Sequence, residues 1–267
     1  MGGRVSGDAL SCRGVVAFPP RLHTLGRWLL DFAFPRDCIG CTAPLRTAEA
    51  DEFCTACLAS LPWNRPPVCL VCGESLLVAS PDDAERFAAR TCARCRRHLP
   101  AFATARAAFA YEGPIRNAVH AVKVRGRSAA GAALGRLLVE GLVRSGDMPD
   151  DIDVVVPVPL HVSRLRERGY NQAALVAREV AAALGRPLVE NLLLRERATP
   201  PQVGLDRALR AANLKGAFAV PAPARAAGLT VLVVDDVLTT GATASACAEA
   251  LRLAGAQKVR VGALARG

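Results

Sequence analysis

Aromatic side chains make up only 4% of this 267-residue chain, with two Trp, two Tyr and eight Phe. A stacking platform or a hood over a heterocyclic base needs several rings close together, and no segment supplies them. Long apolar runs are missing as well: none reaches the ~18 residues that a membrane-spanning helix requires. Between Leu22 and Phe34 the apolar pattern is broken by Arg27 and Asp31, so this stretch reads as a short amphipathic helix in an N-terminal extension, residues 1–35. Its apolar pieces are short and lack a clear small-residue cleavage site, so a secretory signal is not expected and the cytoplasm is. Lysine is scarce too. Of 34 basic residues only Lys123, Lys215 and Lys258 are lysines, a preference for arginine that, with abundant alanine, is consistent with a GC-rich genome.

What is present divides the chain in two. Residues 36–100 carry eight bases against eight acids, whereas residues 101–267 carry 22 against 14, so the net charge of +10 belongs mainly to the second part. An arginine-rich surface there suits a phosphorylated ligand or a nucleic-acid backbone. The first part holds eight of the ten cysteines as four CxxC pairs: Cys38/Cys41, Cys54/Cys57, Cys69/Cys72 and Cys92/Cys95. Two such knuckles complete a closed tetrahedral Zn²⁺ site, so eight thiolates predict two structural zincs. In sequence order, 12 and 19 residues separate the paired knuckles; cross-braced pairing is the alternative. Cys12 and Cys247 are left unliganded, and His98, three residues beyond Cys95, reads as a surface residue. Residues 74–90 form an acidic insert between two knuckles, read as an exposed loop with a short helix. Arg94, Arg96 and Arg97 crowd the last knuckle.

Near the C-terminus stands VLVVDDVLTTGAT, residues 231–243. Its first four residues are apolar and mostly β-branched, the pattern of a strand buried on both faces of a parallel sheet. The following ASACAEALRLAG reads as a helix closed by Gly255. Backbone N–H groups at the helix start, with Gly241 permitting close approach, make Thr239–Thr243 a cradle for phosphate. Two carboxylates, Asp235 and Asp236, suit instead a vicinal diol or a hydrated Mg²⁺. A ligand with one phosphate, a ribose diol and a metal-bound pyrophosphate meets all of these demands.

Upstream, residues 102–111 read as a strand, and Pro114 is placed for the first turn of a helix that ends near Lys123, a candidate phosphate contact or a partner of the helix dipole. Residues 128–145 continue as a helix, and Val154–Val156 as a second buried strand. After it a loop carrying Arg164, Arg166 and Arg168 leads to a helix from about Asn171. At the carboxyl edge of a parallel sheet these guanidinium groups are natural partners for a pyrophosphate. The polar connection before Phe218 offers Gln202, Arg207, Arg210 and Asn213 as further contacts, in a segment expected to fold over a bound ligand.

The four knuckles, together with YEGPIRNAVHAVKVRG, VVPVPLHVSRLRERGYNQAALVA, TPPQVGLDRALRAANLKGAF and the acidic motif, resemble the ComF (competence protein F) family over nearly the whole chain. The resemblance implies an α/β fold. It consists of a double zinc ribbon at residues 36–100, then a type I phosphoribosyltransferase-like parallel sheet flanked by helices at 101–267. It further implies contact with phosphoribosyl pyrophosphate (PRPP) by Asp235, Asp236, Thr239, Thr240, Gly241, Ala242 and Thr243, with pyrophosphate falling to Arg164–Arg168. Asp235 and Asp236 are the candidate catalytic pair, and Mg²⁺ would accompany PRPP. Family members are linked to uptake of single-stranded DNA in natural transformation, which makes DNA and DNA-uptake proteins the expected partners. Three readings follow: a PRPP-binding protein acting with single-stranded DNA in uptake or repair, a transferase in nucleotide salvage, and a nucleotide-sensing scaffold without chemistry.

Overall fold

The structure, a computed structural model, describes residues 36–45, 52–76, 91–198, 214 and 216–267. Its cysteine-rich part holds two knuckles of one design. In the first, Cys38 N–H donates to the Ala43 carbonyl and Thr42 N–H to that of Cys38; in the second, Cys69 N–H donates to Glu74 and Gly73 N–H to Cys69. The turn demands a left-handed residue just after the second cysteine, Thr42 at φ 63° and Gly73 at φ 69°. A Cβ at Gly73 would lie 2.6 Å from the Ala105 carbonyl oxygen, which is why glycine stands there. Each second knuckle opens a five-residue helix: α1 (Thr55–Ala59) behind Cys54 and α2 (Ala93–Arg97) behind Cys92.

Units this small cannot enclose a core of their own, and they lean on the strand that follows, β1 (Thr104–Ala110). Asn64 N–H donates to the Ala108 carbonyl, Ala110 N–H to Pro62, and Ala105 N–H to Val71. The ribbon thereby covers the outer edge of β1, which would otherwise present unpaired backbone groups.

Beyond β1 come α3 (Gly113–Val124), with Pro114 in its first turn, α4 (Ala130–Arg144), β2 (Val154–Pro157), α5 (Val162–Arg168) and α6 (Gln172–Leu184). The short strands β3 (Leu194–Arg195) and β4 (Phe218–Ala219) pair antiparallel. Then β5 (Thr230–Leu238), α7 (Ala242–Leu253) and β6 (Lys258–Arg266) complete the chain. The main sheet is entirely parallel, in the order β1-β6-β5-β2. Segment 187–189 covers the free edge of β2, through Val155 N–H to Pro187 and Val189 N–H to Val155.

Both faces are covered, as the unbroken valine runs require. On one, Leu232, Val234 and Leu264 pack against α3, α4, α6 and the first pair of knuckles, with Phe53 and Cys57 in the same core. On the other, Val231, Val233 and Val261 pack against Cys247, Ala248 and Leu251 of α7 and against all four cysteines of the second pair. The two zinc ribbons therefore flank the sheet. Glycines let α4 settle closely: a Cβ at Gly141 would fall 2.4 Å from Ala108 Cβ on β1, and one at Gly131 2.5 Å from Leu175 Cβ on α6.

Two expectations change, and one strand is new. Arg164, Arg166 and Arg168 lie on a helix, α5, and not in a loop, because Gly169 in the left-handed conformation (φ 82°) closes a full set of turns before Asn171 caps α6. Strand β5 does not stop at the acids but runs through them to Leu238, held by β6. Strand β6 itself, which lies between β1 and β5, has no counterpart in the sequence reading. The amphipathic helix at Leu22–Phe34, most of the acidic insert, and Gln202, Arg207, Arg210 and Asn213 fall outside the described residues. Among the described residues no helix is long and apolar enough to cross a membrane.

Candidate functional site

Consecutive residues of a strand point to opposite faces of the sheet, and β5 keeps its register through Asp235, opposite Ala263. Asp236 follows the parity of Leu232 and Val234, towards α3. There it meets Lys123, whose Nζ lies 2.9 Å from Asp236 Oδ1. Asp235 follows Val231 and Val233 towards α7, where Cys247 and Arg195 interact with it electrostatically. Its Oδ1 accepts the backbone N–H of Asp236 at 2.8 Å. Both acids are buried, at 9% and 5% exposure. Burial, reinforced by the neighbouring Asp236 charge, pushes the Asp235 carboxyl up to about 7 against the pull of Lys123. Burial alone would lower the Lys123 pKa, but Asp236 and Asp235 outweigh it and hold the ammonium charged. Asp236 Oδ2 is enclosed and has no hydrogen-bond partner, so it is an acceptor that a hydroxyl or a metal-bound water would satisfy.

Past Leu238 the chain turns through Thr239 and Thr240 to Gly241, whose φ of 78° starts α7 in a conformation that L side chains rarely adopt. The N-cap residue of this 12-residue helix, being glycine, offers no side-chain cap. Thr240 Oγ1 accepts only the Ala242 N–H, at 3.3 Å. The positive end of the helix dipole is thereby presented at a loop whose residues are half-buried or exposed, the geometry of an anion cradle. Thr239, Thr240, Gly241, Ala242 and Thr243 are all gathered there.

The arginines of α5 converge less well. Positions two apart on a helix diverge by about 200°, so Arg166 points away from the row of Arg164 and Arg168. Arg164 pairs with Glu167 at 2.9 Å, and Arg168 donates to Gln172 Oε1. Arg195, at the end of β3 and absent from the candidates above, is half-buried and interacts with Asp235 and Arg164. No motif marks it; only the pairing of β3 with β4 brings it to the acids. Tyr170 is another silent contributor, its hydroxyl donating to the Val122 carbonyl beside Lys123.

The eight cysteines form two clusters, Cys38, Cys41, Cys54, Cys57 and Cys69, Cys72, Cys92, Cys95, each with all Sγ atoms within 4.8 Å of one another. Pairing is sequential and not cross-braced. Cys41 and Cys54 Sγ are 3.7 Å apart, as are Cys72 and Cys92, close to the about 3.8 Å edge of a zinc–thiolate tetrahedron with 2.3 Å bonds. Backbone N–H groups are already aimed at the sulfurs: Gly40 and Cys54 at Cys38, Cys92 at Cys69. Burial raises the Cys38 and Cys69 thiols, but these donors outweigh it and bring each to about 7. The donor set fits Zn²⁺, and these are the two zinc-binding groups of a double zinc ribbon. Arg266 Nη2 stands 3.6 Å from Cys72 Sγ. His98 belongs to neither cluster, and Cys247 is buried and free.

Comparison with known proteins agrees with this architecture. A double zinc ribbon domain model matches residues 29–96 and a phosphoribosyl transferase domain model residues 138–267. DNA utilization protein YhgH of Salmonella typhimurium is 33% identical over 237 residues, spanning 87% of this chain and 97% of its own. Competence protein F of Haemophilus influenzae is 29% identical over 237 residues, spanning 86% and 96%. DNA utilization protein YhgH of Salmonella typhi is 37% identical over 178 residues, spanning 66% and 77%. With two four-cysteine groups ahead of a parallel sheet whose inner strand β5 carries paired acids before a glycine-started helix, this chain belongs to the ComF family.

Proposed function

We propose that this protein binds PRPP with Mg²⁺ at the carboxyl edge of β5 and acts with single-stranded DNA in uptake or repair. The observation that carries the reading is Asp236: buried at the end of β5, one carboxylate oxygen on Lys123 and the other without a partner, beside the Gly241-started helix. Thr239–Thr243 would take the 5-phosphate, Asp235 and Asp236 the ribose hydroxyls, and Lys123 with Arg164 and Arg168 the pyrophosphate. Mg²⁺ seeks oxygen ligands, which this pair of carboxylates offers, and when bound it neutralises charge on the pyrophosphate. Without ligand Lys123 pairs with Asp236, and arriving hydroxyls would exchange with it there.

The role in DNA handling is supported by the names of the relatives, DNA utilization protein and competence protein F, and by the basic excess of residues 101–267. Exposed Arg96 and Arg97 on α2 add positive charge to the second ribbon.

Calorimetry with PRPP tests the site. Wild type is expected to bind in a Mg²⁺-dependent manner, and the Asp235→Asn, Asp236→Asn double variant about 100-fold more weakly, roughly 2.7 kcal/mol. Equal affinity in the two proteins would overturn the assignment. In the same preparations, binding to a single-stranded oligonucleotide should weaken steeply with added salt. Base-dependent pyrophosphate release from labelled PRPP would extend the role to a transferase in nucleotide salvage.

A further inference from the structure

A cavity of about 390 Å³ lies between the second zinc-binding group and the first turns of α7. Leu99, Pro100 and Phe102 form one wall and Ala242 and Ala246 the other; Arg94, His98 and Glu249 stand at its polar margin. Thr240, Gly241 and Ala242, three of the five residues of the phosphate cradle, line it, whereas neither Asp235 nor Asp236 does. The ribose and pyrophosphate placements above leave it unused.

We propose that this cavity receives the base of a nucleoside 5′-monophosphate unit whose phosphate sits at the N-terminus of α7, either as a free nucleotide or as the 5′ end of a DNA strand. Its volume falls within the ~300–1,000 Å³ of small-ligand sites. The two walls are apolar and built from small or flat groups, which suits the faces of a planar ring. The margin offers both hydrogen-bonding senses that a base edge requires. Arg94 lines the cavity with Nη1 enclosed and without a partner, while Nη2 of the same residue holds Glu74 at 3.3 Å, so a turn of the guanidinium would bring a donor to a ring nitrogen or carbonyl. Glu249 supplies an exposed acceptor for an exocyclic amine. Leu99, 75% exposed at the rim, would be covered by such a ligand. Because the acids that suit a diol lie outside the cavity, a 2′-hydroxyl is not needed and deoxynucleotides qualify.

The inference rests on Thr239–Thr243 acting as a phosphate cradle but not on PRPP being the ligand of the acids. Since one cradle serves both, a nucleotide and PRPP should exclude each other.

Zinc-loaded full-length protein titrated with the four 2′-deoxynucleoside 5′-monophosphates provides the test. At least one should bind with a Kd below about 1 mM, be displaced by PRPP, and bind the Asp235→Asn, Asp236→Asn variant within about twofold of wild type. Ala246→Phe fills the cavity and should weaken nucleotide binding at least tenfold while two zincs are retained; Ala246→Leu, a smaller intrusion, should give an intermediate loss. A 5′-phosphorylated oligodeoxynucleotide that binds more tightly than the monomers, and more tightly than its unphosphorylated form, identifies a strand end as the ligand, and equal affinities identify the free nucleotide. No monophosphate binding below 1 mM, or unchanged binding by both Ala246 variants, overturns the proposal. Loss of PRPP binding alone, with nucleotide binding intact, would sink the PRPP reading and leave this one standing.

Discussion

Changing Cys95 to serine is expected to release one of two zincs and to disable the phosphate cradle with it. A structural zinc site of four thiolates contributes folding free energy directly, with apparent zinc affinities of about 10–16 kcal/mol in small domains. Serine supplies no thiolate to replace the lost ligand. Here the damage has a route into the transferase-like part. All four cysteines of the second group share one core with Phe102, Val231, Val233 and α7. Phe102 carbons lie 3.7 and 3.8 Å from where a Cβ of Gly241 would be, and Ala101 N–H donates to Ser245 Oγ on α7 at 3.0 Å. Without zinc, the wall beneath Gly241 loses its support. The expected readings are one zinc per chain in a metal assay, a melting temperature lower by roughly 10 °C, and at least a tenfold loss of PRPP affinity. Two zincs retained by the variant would refute the ligand assignment. One zinc with unchanged PRPP binding would show instead that ribbon and cradle are independent.

The same region shows what the sequence made legible. CxxC spacing fixes which sulfurs converge, because two thiolates three residues apart on a knuckle turn have little choice of partner metal. Sequential pairing was one of the arrangements compatible with that spacing; in the structure it follows from the placement of the first two knuckles on one face of the sheet and the last two on the other. In the same way Val231–Val234, the glycine at 241 and a helix start at about Asn171 are local signals, and each appears where expected.

Long-range placement was not legible. Lys123 reads as the end of a helix, and nothing local says that α3 aims it at a carboxylate on a strand far along the chain. Alternation on β5 separates Asp235 from Asp236, so each acid acquires its own cation: Lys123 on one face and Arg195 on the other. The arginines of α5 illustrate the opposite error. Alternate spacing looks convergent if the segment is extended, but on a helix it spreads the charges, and Gly169 decides between the two by closing that helix. Strand β6 carries arginines among its small residues; the pairing of Arg260 with Asp151 explains how one of them is accommodated, Nε to Oδ1 at 2.7 Å.

Removing Lys123 tests whether that cation is the keystone of the acidic pair. Lys123→Met keeps the length and apolar stem of the side chain but leaves Asp236 without its ammonium and Asp235 with Arg195 as its remaining cation. Breaking a buried pair costs about 3–5 kcal/mol; with the lysine side chain 30% exposed, water softens this to about 2–3 kcal/mol, or roughly 5–10 °C in melting temperature. The loss should depend on pH. Asp235 has a folded pKa of about 7 against an ordinary value of 3.8, so its ionisation favours the unfolded chain. That penalty is absent below the unfolded value and develops as pH rises from about 4 to about 7. Lys123 limits it in wild type, and without the lysine each increment of charge is less compensated. The part of the gap between variant and wild type that acts through Asp235 is therefore expected to be absent at pH 5, to open as pH rises through about 7 and to be still growing at pH 8. It comes on top of a constant loss from the broken contact with Asp236. Mg²⁺, a substitute cation for the same oxygens, should raise the melting temperature of the variant more than that of wild type at pH 8. A gap independent of pH, with equal Mg²⁺ responses, would mean that Lys123 acts through packing and that the acids do not depend on its charge.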